Sequence, residues 1–398
     1  MSYDQGRLIS DRGIAIIGYY ETKIELKSGR SVYDLAGEAM AGAIAHAGIG
    51  KSEIDGFAVS SCFSDAGNPF YAPVLASYLG LELDWCQVTD LGGASASGNV
   101  ARAAAAIRSG MCDTVLVLAA DAQSSENKGA IGAFRSEFQY SVGIMGPPGY
   151  FGLLSRRYDH QYGLDPKALG KLAMTQRNHA LMNDKACEKL RRPLTIEDYL
   201  ASPMISDPIR MLDCVMVCDG ASALVVTSTT RAQELGARKR VHPIGYGERI
   251  NHLETEQCPD ITAIGHSVAG TRALKAAGLT PTQIQSFHPY DDFLIAIVLQ
   301  LEQLGFCEIG RGCRFVMEHD LSYRGDLPLN TGGGQISAGQ AGLAGGAHNL
   351  VEAVRQLFGE AGARQVKRRD NAMVTGIGWI PYGRNWASST VLILEAAQ

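Results

Sequence analysis

The chain has 398 residues, of which 46% are hydrophobic and 19% charged, an ordinary composition for a folded globular protein with room for two α/β domains. The formal net charge of −5 gives no basic field that would indicate nucleic-acid binding. The N-terminal residues lack the basic stretch and apolar run of a secretion signal, and no segment approaches the ~18 apolar residues of a membrane span. We therefore expect a cytoplasmic protein that binds neither nucleic acid nor membrane.

Strands and helices alternate in the first part of the chain. Residues 13–19 and 56–60 read as strands, and residues 32–47 and 101–109 as helices. The largely apolar run at 113–119 is typical of a strand buried on both faces. This order predicts a parallel α/β sheet that is covered by helices on both sides.

The alternation is lost from about residue 123 to residue 207, and the strand pattern returns at 218–229 in CDGASALVVTST. The chain therefore reads as an N-terminal half (1–122 plus 208–237), an inserted loop or cap domain (123–207) and a C-terminal half (238–398).

The chain also contains an internal repeat. Residues 41–60 and 271–290 both read as an alanine-rich helix, a glycine stop, a short polar turn and an apolar strand. A glycine-rich turn that opens a second small-residue helix follows each copy, at Gly92 and at Gly332. Two such halves predict one pseudo-symmetric body with a site where the turns of both halves converge.

These doubled halves resemble the thiolase superfamily, over essentially the whole chain. The segments RRYDHQYG, DPIRMLDC, YDDFLIAIVLQLEQLGFCEIGRG and LPLNTGGGQIS are similar in order and spacing to the sterol-carrier-protein-type thiolases and the bacterial lipid-transfer-protein branch. The resemblance implies the thiolase fold, with two five-stranded α/β halves stacked in five α-β-α-β-α layers and an inserted loop domain. It also implies an acyl-coenzyme A thioester as substrate, with no permanently bound cofactor, and a homodimer.

The side chains that the thiolase family uses for catalysis are replaced here. Ser95 stands where the resemblance places the nucleophilic cysteine, Gln340 where it places the histidine of the G-H-P segment, and Gly376 where it places the second cysteine. A serine needs a positioned base to become a nucleophile, and a glutamine does not take a proton. Thiolysis through an acyl-cysteine is therefore not expected.

Backbone and tyrosine chemistry remain. By the resemblance, the backbone N–H groups of Ser95 and Gly376 form an oxyanion hole, although such glycine turns also serve close packing. Tyr290 stands in place of a family asparagine, and some lipid-transfer-branch members with Tyr-Asp here cleave carbon–carbon bonds by retro-aldol chemistry. Those aldolases tend to carry a second tyrosine where this chain has Gln340. Tyr290 is then a proton carrier, or else a buried tyrosine with a satisfied hydroxyl.

Other candidates carry weaker signals. Strand alternation places His288 on the same face as Tyr290, as a base or as a core histidine. Arg156 and Arg157 are candidates for the phosphates of coenzyme A, or for pairing with nearby acidic residues. The nine cysteines are scattered without a metal-binding spacing, so we expect no metal site.

Three functions stay open at this point. The first is aldol or retro-aldol chemistry on an acyl-coenzyme A without an acyl-cysteine. The second is a thiolase-type acyltransferase that works with partner subunits, and the third is a non-catalytic acyl-coenzyme A-binding subunit of a heteromeric complex. The resemblance also implies a small partner protein with a zinc ribbon and an OB fold.

Overall fold

The computed structural model describes residues 12–126, 136–253, 258–380 and 384–397. The strands within these ranges are β1 (Ile14–Glu21), β2 (Gly56–Ser60), β3 (Trp85–Thr89), β4 (Thr114–Asp121), β5 (Met204–Ser206), β6 (Ile209–Arg210), β7 (Gly220–Ser228), β8 (Val241–Ile250), β9 (Phe287–His288), β10 (Asn371–Gly378) and β11 (Ser388–Ala396).

The helices of the same ranges are α1 (Val32–Ala47), α2 (Tyr71–Leu79), α3 (Ser95–Arg108), α4 (Ser136–Ser141), α5 (Pro147–Tyr162), α6 (Pro166–Leu181), α7 (Ile196–Ala201), α8 (Thr229–Glu234), α9 (His266–Ala277), α10 (Leu294–Gln303), α11 (Gly312–Glu318), α12 (Gly334–Ala338) and α13 (Gly345–Phe358). None of these helices is long and apolar enough to cross a membrane.

The strand order of the large sheet is β3-β2-β4-β7-β1-β8-β11-β10-β9. The first five strands form one arm and the last four form a second arm, in which the equivalent strands follow in the reverse order. In each arm the outer strands pair in parallel and the inner strands pair antiparallel, so the sheet is mixed and the prediction of a parallel sheet is wrong for the inner strands. A single pair, Ile16 with Val241, joins the two arms. The two halves are therefore built on the same topology, as the repeat predicted.

The second arm departs from the expected five strands. The place equivalent to β3 holds only one parallel bridge, between Leu329 and Phe287. The next residue, Asn330, has a φ of 45°, which ends the extended conformation at once and starts the glycine turn. The described part of this half therefore has four strands and a bridge.

The core consists of three large apolar clusters that define the layers. One cluster packs α1 and α2 against the first arm, and a second packs α9 and α10 against the second arm. The third contains Val100 of α3 and Leu350 of α13 together with residues of both arms, so these two helices lie between the arms. This arrangement gives the α-β-α-β-α layers of the predicted fold.

The two copies of the repeat adopt the same local structure. α1 ends at Gly48 and α9 ends at Gly278, both in the left-handed conformation with φ of 71° and 67°. A turn of 3₁₀ helix follows each glycine, at Lys51–Glu53 and Pro281–Gln283, and then a strand that enters the sheet. The sequence similarity therefore marks a structural repeat.

The described part of the 123–207 excursion contains four helices, α4 to α7, and leads into the β5–β6 hairpin. Its apolar residues share a core with the C-terminal half: the rings of Phe151 and Phe293 lie 4.2 Å apart, and the hydroxyl of Tyr158 donates to Glu302 at 2.5 Å. The boundaries given for the three regions remain a prediction.

Candidate active site

One glycine of each half packs against the ring of Tyr290. A Cβ atom on Gly93, just before α3, would lie 2.1 Å from Cε2 of this ring, and one on Gly346, in the first turn of α13, would lie 3.3 Å from the same atom. Only a glycine at position 93 leaves room for the ring. The turn predicted at Gly92 therefore meets Tyr290, whereas the second half contributes Gly346 and not the predicted turn at Gly332, which packs against Glu352.

The backbone of Tyr290 is held on both sides. Its N–H donates to Thr375 Oγ1 at 2.9 Å, and its carbonyl accepts from Gln300 Nε2 at 2.8 Å. Thr375 also donates to Gln300, which ties the two supports together. These bonds fix the tyrosine at the end of the short strand β9, where the chain no longer pairs regularly.

The hydroxyl of Tyr290 accepts a hydrogen bond from Gln340 Nε2 at 3.3 Å, and the same Gln340 nitrogen donates to Gln335 Oε1 at 3.1 Å. Burial, followed by the charges of Asp292 and then Asp291, raises the pKa of Tyr290 well above its ordinary value. The phenol is therefore neutral near pH 7. Because its oxygen accepts from Gln340, its own proton is left for another acceptor.

Ser95 is the first residue of α3 and is buried. Its Oγ accepts from the backbone N–H of Leu91 at 2.9 Å, and its own N–H donates to the carbonyl of Gly92 at 3.0 Å. Among the described residues, no basic side chain is hydrogen-bonded to it. The hydroxyl thus closes the turn before α3 and lacks the base that a serine nucleophile requires.

Gly376 packs where the sequence predicted, against the turn before α3: a Cβ there would lie 2.5 Å from Cα of Ala94. The N–H of Met373, three residues earlier, donates to Ser286 on the β9 side at 3.0 Å. Because N–H groups alternate along a strand, that of Gly376 is directed at β11. The two N–H groups predicted to form an oxyanion hole, those of Ser95 and Gly376, are thus both turned toward the protein itself.

His288 does not orient Tyr290. Its ring is fully buried, and neither ring nitrogen has a hydrogen-bond partner in the described ranges. Burial lowers the pKa of His288 to about 4, with Glu352, His179 and His348 as the charged or titratable groups around it. The alternation argument fails because β9 ends at His288, so Tyr290 no longer follows the strand geometry.

The two aspartates that follow Tyr290 have different surroundings. The carboxylate of Asp291 accepts from the backbone N–H groups of Gln335 and Ile336, at 3.0 and 3.1 Å, and from Asn349 Nδ2 at 3.0 Å. It therefore anchors the glycine turn at the start of α12. Asp292 is half-buried, and its Oδ1 atom is enclosed without a hydrogen-bond partner among the residues described.

Sequence reasoning missed the residues that hold the site together. Thr375, Gln300 and Gln335 each contact Tyr290 or Gln340, but none stands in a recognisable motif apart from Gln335, which follows the glycine run at 332–334. That position next to the predicted turn was the only signal in the sequence.

The two arginines suggested for coenzyme A lie on α5. Arg156 is paired with Asp207 and, at 3.6 Å, with Asp159. Arg157 is exposed. The structure thus gives Arg156 the acidic partners that the sequence offered as its alternative role. In the part of the chain that is described, no three Cys, His, Asp or Glu side chains are grouped as metal ligands.

The chain is similar in sequence to known proteins. The family model described as thiolase C-terminal domain-like matches residues 247–396. The chain is 32% identical over 383 residues to a 17-hydroxy-3-oxo-4-pregnene-20-carboxyl-CoA lyase of Mycobacterium tuberculosis, covering 92% of this chain and 97% of the lyase. It is 31% identical over 388 residues to a steroid side-chain-cleaving aldolase of Thermomonospora curvata, covering 92% and 95% of the two chains.

Solved structures show the same likeness. A chain of the Ltp2-ChsH2(DUF35) aldolase superposes with a TM-score of 0.84 at 30% identity, covering 98% of this chain and 99% of that chain. A monomeric SCP2-thiolase-like protein of Mycobacterium smegmatis has a TM-score of 0.73 at 21% identity, covering 97% of this chain and 78% of that chain, which supports the fold alone.

Proposed function

The chain belongs to the thiolase superfamily, in the group that contains the steroid side-chain-cleaving aldolases, and from this premise we propose that it catalyses aldol or retro-aldol chemistry on an acyl-coenzyme A thioester without an acyl-enzyme intermediate. One observation carries the proposal. The site is centred on a buried, neutral tyrosine, while serine, glutamine and glycine occupy the positions of the thiolase nucleophile and proton carriers.

In the retro-aldol direction, the bond between Cα and Cβ of a β-hydroxyacyl-coenzyme A breaks, and its electron pair moves toward the thioester carbonyl as an enolate. The Tyr290 hydroxyl donates a hydrogen bond to that oxygen as the charge develops. Gln340 supports this role, because its amide donates a hydrogen bond to the tyrosine oxygen and the phenolic proton is left to donate to the substrate. Thr375 and Gln300 keep the donor in place.

The test is Tyr290→Phe, which keeps the ring and removes the hydroxyl. We expect the rate to fall by ~10²–10⁴ with unchanged stability. Tyr78→Phe is the control, because it removes an exposed hydroxyl that is bonded to Asp34 at 2.8 Å outside the site. A suitable probe is 17-hydroxy-3-oxo-4-pregnene-20-carboxyl-CoA, which has its hydroxyl β to the thioester, with both products measured by chromatography. Wild-type turnover by Tyr290→Phe would reject the tyrosine mechanism.

Mass spectrometry separates this proposal from the acyltransferase alternative. Incubation with an acyl-coenzyme A should leave no covalent adduct, and Ser95→Ala should change the rate far less than Tyr290→Phe does, because the Ser95 hydroxyl accepts a bond from its own turn. An acyl group on Ser95 or on a cysteine would favour acyl transfer instead.

The proposal includes partners. The Ltp2-ChsH2(DUF35) aldolase pairs a similar chain with a second protein. For this chain we expect a small partner with a zinc ribbon and an OB fold, and low activity of the isolated chain that rises when the partner is added. Full activity alone would count against this.

A homodimer is the second expected association. β3 ends the sheet, and it leaves Cys86 and Val88 exposed, with Val88 47% accessible. An edge strand with unpaired backbone groups and apolar side chains is suited to pairing with the same strand of a second copy.

A further inference from the structure

Asp292 has a buried polar atom that the rest of the site does not explain. Its neighbour Asp291 receives three N–H donors, whereas the Oδ1 atom of Asp292 is enclosed and finds no partner among the described residues. Buried polar atoms are nearly always hydrogen-bonded, so an exception at a candidate active site calls for a role. The residue as a whole is only half-buried, which leaves it a contact with solvent.

The backbone of Asp292 pairs with the segment 214–218, which also holds the hydrogen-bond partner of the Tyr290 hydroxyl. The carbonyl of Asp292 accepts from the N–H of Val215 at 3.2 Å, and Cys214 pairs with Phe293. The next residue of the same segment, Met216, accepts at its carbonyl a hydrogen bond of 3.0 Å from the backbone N–H of Gln340. The backbones of Asp292 and of Gln340, the partner of the Tyr290 hydroxyl, are therefore both held by residues 215–216.

The electrostatics agree with a base at this position. Burial, and then the neighbouring charge of Asp291, raise the pKa of Asp292 to about 8. The titratable groups that face it are Asp291 and Tyr290 along the chain and Cys214 on the packed strip, and none of them is a cation. A carboxylate of this kind takes up a proton far more readily than an exposed one.

Resting on the proposed function, we propose that Asp292 is the general base that removes the proton of the substrate's β-hydroxyl group. The O–H electron pair forms the new carbonyl, the Cα–Cβ bond breaks, and its electrons enter the thioester enolate that Tyr290 stabilises. The enolate then takes a proton at Cα from water to give the shortened acyl-coenzyme A, and Asp292 gives the hydroxyl proton back to water, so that no net proton is gained or lost. Tyr290 and Asp292 thus act as donor and acceptor.

The experiment compares Asp292→Asn, Asp292→Glu and Asp291→Asn in the full chain with its partner, using the same steroid thioester. A base must be deprotonated, so kcat/KM of the wild type should rise with pH to a plateau above about 8. Asp292→Asn should lower the rate ~10²–10⁴-fold and remove this rise. Asp292→Glu should retain part of the rate, and its kcat/KM should still rise with pH, with a shifted midpoint. Asp291→Asn should lose stability and keep a rise of the rate with pH, moved to lower pH because the charge of Asp291 no longer raises the pKa of Asp292.

The outcomes separate the two proposals. If the wild type cleaves no β-hydroxyacyl-coenzyme A, the proposed function fails and this inference fails with it. If the wild type cleaves the thioester and Asp292→Asn keeps both the rate and the pH dependence, only the role of Asp292 is rejected. If Asp292→Asn does not fold, a wild-type kcat/KM that is flat between pH 6.5 and 9.5 would still overturn the inference.

Discussion

Replacing Gly93 by alanine tests whether the position of the Tyr290 ring determines activity. The added Cβ would lie 2.1 Å from Cε2 and 2.3 Å from both Cζ and the hydroxyl oxygen, against an ordinary contact of ~3.5–4.0 Å. The ring must therefore shift by about 1.5 Å. Since the backbone of Tyr290 is bound to Thr375 and Gln300, we expect the side chain to turn and the hydroxyl to leave Gln340.

A displacement of about 1 Å at a reacting group costs ~10²-fold in rate, so kcat/KM of Gly93→Ala should fall by at least that factor. Crowding in the packed interior should also lower the free energy of unfolding by ~1–3 kcal/mol, measured by urea titration. Gly67→Ala is the matched control, because no atom lies within 4 Å of its added Cβ. If Gly93→Ala matched Gly67→Ala in both rate and stability, the reasoning from the ring position would be refuted.

Four other predictions concern stability, association and binding. Glu352→Gln should lower the free energy of unfolding by ~3–5 kcal/mol, because it leaves the nearly buried Arg364 without its carboxylate and Arg355 with Glu21 alone. Glu318→Gln, in an exposed pair, should cost under ~1 kcal/mol, and both are measured by urea titration. His288 is protonated below about pH 6.5 when unfolded but only near pH 4 when folded, so it should cost about 2 kcal/mol of stability between pH 7 and pH 5, and His288→Gln should flatten that decline. Val88→Glu should convert a dimer to monomers in light scattering, and a persistent dimer would place the interface elsewhere. Arg157→Ala should raise KM for the thioester with little change in kcat if this arginine meets the phosphates; an unchanged KM would remove it from the site.

The fold was predictable because its signals are local. The left-handed glycines Gly48 and Gly278 end the repeated helices at the positions that the sequence predicted. The alternation of helices and apolar strands along the chain predicted that helices cover the sheet. The reduced fifth strand of the second half was not predictable, because it depends on Asn330 turning the chain directly after Leu329. Tyr290 was singled out by the resemblance, and the structure places it against Gly93, in the glycine turn predicted at Gly92.

The hydrogen bonds around the site residues could not be predicted from the sequence. Nothing in the sequence states that Thr375 and Gln300 hold the backbone of Tyr290, because these contacts join segments that are distant along the chain. The direction of the Gly376 N–H depends on strand register, which the residue pattern alone did not supply. The alternation argument for His288 failed because the strand ends at His288, two residues before Tyr290.

The replacement of the family histidine by Gln340 changes which group supplies the proton. An imidazole at that place accepts a proton, whereas the amide of Gln340 donates to the oxygen of Tyr290 and leaves the phenolic proton as the available donor. A retro-aldol cleavage needs both a donor at the thioester and an acceptor at the β-hydroxyl. Among the described residues, Asp292 carries the enclosed carboxylate oxygen without a donor that lies next to Tyr290 in the chain. On the proposed mechanism, the replacement of the thiolase side chains and the enclosed carboxyl group of Asp292 are two aspects of the same change in chemistry.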